Sequence, residues 1–317
     1  MKYAKPHLNY EDQVALIKSR GMDVGDERDA VAALKRIGYY RLSAYTYPFR
    51  MSGKPDKARQ SAIVPRSDEF KLGSTLVDSV KLHDFDHRIR RTILSGIQLL
   101  EVGLRAKIAY QLGKKGSMAH LDESNLCLQG LDPHTYAEWR GQYDKLQSKA
   151  ATEEFVKHFL IKYDGDIPIW AAVQFMTMGC LVALYRMLKP NDARRVAAEL
   201  GVKNRDVLYG WLRALNVLRN HCAHNSRIWN RSTIYPPDKL NLNLVDDELA
   251  HLIGTDRNKL YFLAAVLAYL NRKIDPQTRW PDEFRTAIRK FPFIQGMSPE
   301  NMMGFPEGWA SEPLWCA

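Results

Sequence analysis

Apolar residues recur at helical spacing along most of this chain, and the longest such run covers residues 75–112. Its apolar positions follow one another at three- to five-residue steps: Leu76, Val80, Phe85, Ile89, Ile93, Ile97, Leu100 and Leu104. Steps near the helical period place side chains on one face, so the run predicts a single long helix with a buried stripe. Gly113 and the following Lys114-Lys115-Gly116 predict its end.

Shorter periodic segments predict further helices on both sides of the long one. Two are expected at about residues 10–20 and 27–37. The later ones are expected at about 136–149, 151–162, 170–187, 191–200, 204–224 and, as a short and a longer helix, between 246 and 272. The sequence contains no internal repeat and no convincing run of alternating strands. We therefore predict an all-α fold.

Three segments lack the helical period. Residues 39–50 are rich in tyrosine, residues 51–69 are polar and basic and predict a mobile loop, and the proline- and tryptophan-rich segment beyond Ile274 predicts an extended tail. These features divide the chain into three parts. They are an N-terminal helical and aromatic region with the basic loop (1–72), a helical bundle (73–272) and a C-terminal tail packed on the bundle (273–317).

The chain is basic. It has 46 lysines and arginines against 36 acidic residues, a net charge of +10 and a pI near 9.3. Several of the basic residues lie in clusters, which predicts a positively charged surface and favours a polyanionic partner such as nucleic acid. Solubility alone is the other explanation for a charge of this size.

Several classes of protein are disfavoured. The four cysteines are scattered without a CxxC pair, which argues against a disulfide framework or a cysteine-rich zinc site and fits a reducing cytosol. The apolar runs are too short for a membrane helix, and the N-terminus lacks the apolar stretch of a secretory signal. We therefore expect a cytoplasmic protein with no membrane partner.

The strongest chemical signal is the heptapeptide Arg219-Asn220-His221-Cys222-Ala223-His224-Asn225, at the end of a periodic segment. An arginine holds a phosphate with a forked pair of hydrogen bonds, and a histidine titrates near neutral pH and moves protons. Arg219 and His224 are therefore candidates for cutting RNA without a metal.

The predicted helix that carries this motif has an apolar stripe of Leu208, Trp211, Leu215, Leu218 and Cys222. At 100° per residue, His224 lies about 180° from Leu215 and faces water, a partner subunit or a substrate. Arg219 lies about 40° from Leu215, so it is offset from His224 by about 140°. Either the helix ends or bends at the motif, or two copies of the motif meet across a homodimer.

Two pairs of residues are candidates for a further role. His221 and His224 stand three apart and could share a metal, but no glutamate and no HExxH pattern adjoins them, so we expect no metal. Glu101 and Arg105 stand four apart on the long helix, which permits an ion pair. That pair either supports the site or is an ordinary helix pair.

Segments spread over nearly the whole chain complete a recognisable pattern. They are Lys5-Pro6, Arg20-Gly21, Ile37-Gly38-Tyr39-Tyr40-Arg41-Leu42-Ser43-Ala44-Tyr45, Gly73-Ser74-Thr75, Phe85-Asp86-His87-Arg88-Ile89-Arg90, Glu101-Val102-Gly103-Leu104-Arg105, Pro168-Ile169-Trp170, Trp211-Leu212-Arg213-Ala214-Leu215-Asn216, the heptapeptide, Gly304-Phe305-Pro306 and Pro313-Leu314-Trp315. Together they resemble the bacterial abortive-infection proteins of the AbiD/AbiF-like branch, whose helical core belongs to the HEPN superfamily.

This resemblance implies a four-helix HEPN bundle in which Arg219 and His224 are the catalytic pair, usually within a homodimer. It implies a metal-independent endoribonuclease of phage defence that needs no cofactor and uses the 2′-hydroxyl of RNA as its nucleophile. Asn220 would orient the histidine or bind a phosphate oxygen. The supporting residues would be Glu101, Arg105 and His221. Some relatives work with a small noncoding RNA.

The candidates for RNA binding are six basic or aromatic residues: Arg88, Arg213, Arg227, Arg231, Tyr40 and Arg41. The tyrosines near Tyr40 either stack on unpaired bases or pack in the core. Two other functions use the same residues. One is a noncatalytic RNA-binding protein that partners a small noncoding RNA, and the other is an interaction protein in which the motif holds a dimer interface.

Overall fold

The computed structural model describes residues 6–52, 66–233, 235–238, 240–244 and 246–316. These residues are mostly helical, which confirms the predicted all-α fold. Within them, a single pair of short strands, β1 (Arg50–Ser52) and β2 (Arg66–Phe70), forms an antiparallel ladder with Arg50 opposite Phe70.

One compact unit comprises Met1–Arg88 and Arg289–Ser298. Besides the two strands, its elements are α1 (Tyr10–Ser19), α2 (Glu27–Ile37), α3 (Tyr39–Thr46), the 3-10 helix Tyr47–Phe49 and the first part of α4 (Leu76–Gly113). The predicted boundary at residue 72 stays a prediction.

Two expectations for this unit need correction. The tyrosine-rich stretch is a helix, α3, because Tyr45 turns inward, is 1% exposed and donates from its hydroxyl to Oδ2 of Asp86 at 2.7 Å. The predicted loop 51–69 is not a loop at its ends, since its last five residues include most of β2 and its start continues β1. The middle of that predicted loop, residues 53–65, lies outside the described residues.

The other compact unit comprises Ile89–Ile288 and Pro299–Ala317. It contains the rest of α4 and then α5 (Thr135–Lys149), α6 (Glu154–Lys162), α7 (Ile169–Ala172), α8 (Met178–Met187), α9 (Pro190–Glu199), α10 (Arg205–Ala223), α11 (Leu260–Ile274), α12 (Trp280–Ile288) and α13 (Pro299–Met303). Short 3-10 helices cover Glu123–Asn125, Leu242–Leu244, Asp247–Leu252, Trp309–Ser311 and Pro313–Trp315. No helix in the described ranges is both long enough and apolar enough to cross a membrane.

Helix α4 is the long helix that the sequence predicts, and two glycines let other elements approach it closely. A Cβ at Gly96 would lie 2.4 Å from the indole ring of Trp280, and one at Gly103 would lie 2.6 Å from the side chain of Ile274. The Trp280 indole nitrogen also donates to the carbonyl of Thr92 at 2.6 Å. These contacts pack α11 and α12 against α4.

Two expectations for this unit are also wrong. The helix predicted over 170–187 is divided into α7 and α8, because the Thr177 hydroxyl accepts from the Cys180 amide at 3.3 Å and starts a new helix. The segment beyond Ile274 is not an extended tail. It forms α12 and α13, and its three tryptophans are buried in an aromatic cluster around Tyr261, Phe284 and Phe305: Trp280, Trp309 and Trp315.

Candidate active site

Helix α10 carries the motif, and local sequence fixes where it starts. Asn204 caps its N-terminus, since the side-chain oxygen accepts from the amides of Asp206 at 2.7 Å and Val207 at 3.3 Å. All five residues of the predicted stripe are buried: Leu208, Trp211, Leu215, Leu218 and Cys222. The helix packs against α8, α9 and α11, so its register, and with it the direction of every motif residue, is set by burial.

The helix ends inside the motif. The amide of Asn225 donates to the carbonyl of Cys222 at 3.1 Å, and the amide of Ser226 donates to the carbonyl of His221 at 2.8 Å. This is the pattern of a Schellman motif, in which the residue after the C-cap takes a left-handed conformation. Asn225 takes it here, with φ of 55°, and His224 is the C-cap.

The chain immediately after this turn is anchored. Ile228 and Trp229 are buried at 2% and 0% exposure. A guanidinium nitrogen of Arg90, on α4, donates to the carbonyl of Ser226 at 3.5 Å. The turn that carries His224 is therefore fixed on one side by α10 and on the other side by core residues.

Arg219 lines an open groove of about 430 Å³ between α4 and α10. The other lining residues are Leu94, Ile97, Gln98, Glu101, Val102, Arg105 and Ala223. Arg219 is half-buried and donates to the side-chain oxygen of Asn220 at 3.4 Å. No carboxylate of the described residues pairs with Arg219, so its charge is available to an anion in the groove.

Glu101 and Arg105 lie on the same groove and form an ion pair, with 2.5 Å between Arg105 Nη2 and Glu101 Oε1. The same Arg105 nitrogen donates to the carbonyl of Met176 at 3.0 Å. Both side chains are mostly shielded from solvent. The pair therefore holds Arg105 rigidly in the groove wall opposite α10.

His221 points elsewhere. It lines a separate small cavity of about 30 Å³ together with Val217, Ile228, Arg231 and residues of α11. Its Nε2 is buried and has no partner among the described residues. Burial lowers the pKa of His221, and the nearby charges of Arg231 and His224 lower it further. His221 and the groove residues Glu101 and Arg105 are thus not brought together, although all three were predicted to support one site.

Asn220 and His224 are exposed to solvent on the other side of α10 from the stripe. His224 is not part of the groove wall, whereas its neighbour Ala223 forms the end of that wall. The end of α10 therefore carries an exposed histidine next to a groove that holds an arginine. Among the described residues, the side-chain hydrogen bond of Arg219 is to Asn220 and not to His224.

The six candidate RNA-binding residues fall into both compact units. Arg88, Tyr40 and Arg41 belong to the first unit, where Tyr40 is 91% exposed and Arg41 Nε lies 3.2 Å from Nε2 of His83. The other three belong to the second unit. Arg213 is exposed, whereas Arg227 and Arg231 are half-buried.

The groove has an apolar extension that the sequence patterns above do not predict. Val102, Tyr110 and Trp170 are 61%, 64% and 55% exposed and line a cavity of about 580 Å³ that shares Val102 and Arg105 with the groove. A signal for it exists, because Val102, Ala106 and Tyr110 stand four apart on a face of α4 away from its buried stripe.

Within the ranges that the structure describes, no group of three or more His, Cys, Asp or Glu residues is placed to hold a metal ion. The sequence model of one protein family, described as Abi-like protein, matches residues 32–230, which is well over half of the chain. The matched range includes α4, α10 and the turn after α10. No match was found among curated proteins or among solved structures.

Proposed function

The chain belongs to the Abi-like protein family, which connects it with abortive infection and phage defence, and we propose that it acts there as a metal-independent endoribonuclease of the HEPN type. The observation that carries the proposal is the end of α10. Arg219, without a carboxylate partner in the described residues, lines an open groove, and the wall of this groove ends one residue before the exposed His224.

In the proposed reaction, the 2′-hydroxyl oxygen of the RNA attacks the adjacent phosphorus, and the bond from phosphorus to the 5′-oxygen of the next nucleotide breaks. His224 takes the proton of the 2′-hydroxyl or gives a proton to the leaving 5′-oxygen. Arg219 binds the phosphate and offsets the charge that develops on it. The products are a 2′,3′-cyclic phosphate and a 5′-hydroxyl end.

Asn220 and the Glu101–Arg105 pair are positioning residues in this proposal. Asn220 accepts a hydrogen bond from Arg219 and so favours one orientation of the guanidinium. Arg105 adds positive charge to the opposite wall of the groove, and Glu101 with the Met176 carbonyl holds it there. The pair keeps the groove from carrying two unpaired arginines when RNA is absent.

We propose further that the active unit is a homodimer. Arg219 and His224 point to different sides of α10, so a second copy would bring an arginine and a histidine of different chains to one phosphate. The exposed apolar side chains beside the groove, Val102, Tyr110 and Trp170, form a surface suited to such an interface. Mixed dimers of Arg219→Ala and His224→Ala chains test this. Activity that returns on mixing supports sites shared between chains, and a mixture as inactive as its components contradicts it.

The nuclease is tested by incubating labelled RNA in EDTA with the wild-type protein, His224→Ala and His158→Ala. His158 is another exposed histidine, on α6, and serves as the matched control. We expect wild type and His158→Ala to cut, leaving cyclic phosphate ends, and His224→Ala not to cut. An RNA with a 2′-deoxy sugar at the cut position should be inert.

Two results would contradict the proposal. Cleavage that requires a divalent metal, or that proceeds equally in His224→Ala, would exclude the proposed chemistry. If no RNA is cut but a small RNA copurifies with the chain, the noncatalytic RNA-binding function is the better account.

A further inference from the structure

Two exposed arginines of the second compact unit each lie over a tyrosine ring. The guanidinium carbon of Arg186 is 4.6 Å from the ring centre of Tyr209, and that of Arg213 is 4.2 Å from the ring centre of Tyr235. Tyr209 and Arg213 stand four apart on α10, so they lie on one face of the helix. The four side chains, Arg186, Tyr209, Arg213 and Tyr235, thus alternate along one surface, which we name the Arg–Tyr row.

The row is positively charged. Arg186 and Arg213 are exposed, and in the described residues neither has a carboxylate oxygen within 4.0 Å. The only acidic residue of α10 is Asp206, and its Oδ1 lies 3.5 Å from Nε of Arg205. Ion pairing therefore does not explain why the two arginines stand here, and their outward-facing N–H groups are open to an anion.

Residues near Tyr235, the last ring of the row, form hydrogen bonds with the segment that precedes α11. On one side of Tyr235, the amide of Thr233 donates to the carbonyl of Asn258 at 2.7 Å. On the other side, Arg257 donates to the carbonyl of Pro237 at 2.9 Å. Tyr235 itself remains 47% exposed. The ring is in contact with the Arg213 guanidinium and leaves part of its surface open to a flat group that stacks on it.

The row leads towards the motif. At 100° per residue, Arg213, Asn220 and His224 lie within about 40° of one another on α10, and Arg213 precedes His224 by about 16 Å along the helix axis. A strand whose phosphate lies at His224 and which follows this face of α10 therefore passes over Arg213 and Tyr209.

We infer that the Arg–Tyr row binds the single-stranded RNA next to the phosphate that is cut. This inference rests on the proposed function. Arg186 and Arg213 bind phosphates, and Tyr209 and Tyr235 offer ring surface to unpaired bases. Alternating cations and rings are the chemistry by which proteins bind single strands without reading sequence. An acidic peptide would use the arginines but has no need of the rings.

The test measures binding of a labelled, unstructured single-stranded RNA by fluorescence anisotropy, in His224→Ala protein so that no RNA is cut. Arg213→Ala and Tyr235→Ala should each weaken binding about tenfold. Arg213→Ala should also reduce the slope of log Kd against log salt concentration, by the amount expected for the loss of about one phosphate contact. Tyr235→Phe keeps the ring and should bind as the parent does. Lys157→Ala removes one exposed charge from α6 and is the matched control.

Binding by Arg213→Ala and Tyr235→Ala that equals binding by Lys157→Ala would overturn the inference. So would an equal loss for duplex RNA and single-stranded RNA in Tyr235→Ala, because a duplex offers no unpaired base. A loss of RNA binding in Arg213→Ala with none in Tyr235→Ala would overturn stacking of bases on the row and leave only a phosphate contact at Arg213. Thermal melting of each variant identifies misfolding. If Tyr235→Ala unfolds, the affinity and salt dependence of Arg213→Ala, compared with Lys157→Ala, carry the test.

The outcome is separable from that of the nuclease proposal. If the row variants bind RNA normally while only His224→Ala stops cleavage, the nuclease stands and the row is refuted. If the row variants lose RNA binding and the wild-type protein, with His224 intact, cuts no RNA, the row stands and the catalytic chemistry is refuted.

Discussion

Substitution of Asn225 tests whether the turn after α10 positions His224. Asn225 adopts φ of 55°, a conformation that glycine takes freely, asparagine tolerates, and other residues take at a cost of about 1–2 kcal/mol. Asn225→Ala and Asn225→Gly both remove the side-chain amide and all its contacts. The difference between the two variants therefore measures the cost of the left-handed backbone for a residue with a Cβ, less the stabilisation that alanine gains by restricting the unfolded chain.

We expect Asn225→Ala to be less stable than Asn225→Gly by about 1 kcal/mol, a difference of about 2 °C in Tm for a chain of this size. Calorimetry of the two variants side by side measures it. Gly21→Ala is the matched control, since Gly21 occupies the same position of a Schellman motif at the end of α1, with φ of 90°. It should cost a similar amount and leave RNA cleavage unchanged.

The rate of RNA cleavage should depend on the backbone conformation of this turn. Because a strained turn displaces His224, Asn225→Ala should cut RNA more slowly than Asn225→Gly under conditions in which both are folded. Equal stability of the two variants would refute the argument from φ. Equal cleavage at unequal stability would refute the claim that this turn positions the histidine.

Three further predictions follow from packing and charge. Gly96→Ala should destabilise the protein by about 1–3 kcal/mol because its methyl group would overlap Trp280. Gly210→Ala, with open space around the new methyl group, should stabilise the protein by about 0.5–1 kcal/mol. Thermal melting of both variants checks this. His120 is buried, and burial lowers its pKa to about 4. As pH falls below about 6.5, the unfolded chain therefore binds a proton at His120 that the folded chain does not, and the free energy of unfolding should drop by about 2 kcal/mol at about pH 5. A fall of Tm with pH that is equally steep in His120→Gln would contradict this. Glu101→Gln should lower the cleavage rate clearly while it leaves Tm close to that of the wild type. A lower Tm with an unchanged cleavage rate would make the Glu101–Arg105 pair an ordinary structural contact.

The parts of the fold that the sequence predicted are those that local rules decide. Helices α4 and α10 follow from apolar positions at the helical period, and Gly113 and Asn204 mark where a helix ends or begins. Period alone merged α7 with α8, because the Thr177 cap lies inside a continuous run of apolar residues. Asn204 and Thr177 cap their helices in the same way. The sequence predicts only the helix start at Asn204, because the hydrophobic pattern changes there and does not change at Thr177.

The C-terminal segment differs from the extended tail expected from its sequence for another reason. Trp280, Trp309 and Trp315 are buried because they pack around Tyr261 of α11 and around one another. Contacts between residues distant in sequence leave no period, and prolines hide the short helices between them. Burial of this kind depends on the assembled fold and not on local sequence.

The candidate site divides in the same way. The direction of His224 could be predicted, since it follows from the buried stripe of a single helix. The groove could not, because it depends on the register in which α4 and α10 pack, and this brings Glu101 and Arg105 to the same cavity as Arg219. The separation of His221 from that groove has the same cause.

The position of the motif at the C-terminus of α10 has an electrostatic consequence. A helix C-terminus carries a partial negative charge, roughly half of an elementary charge, and offers carbonyl groups where a helix N-terminus offers N–H donors. A phosphate at this end is repelled by the helix and gains no hydrogen bonds from its backbone. In the proposed complex, side-chain cations would therefore supply the attraction for the phosphate. Arg219 is the groove arginine without a carboxylate partner in the described residues, whereas Arg105 is paired. It follows that Arg219→Ala should weaken RNA binding more than Arg213→Ala does, because Arg213 lies far from the helix end.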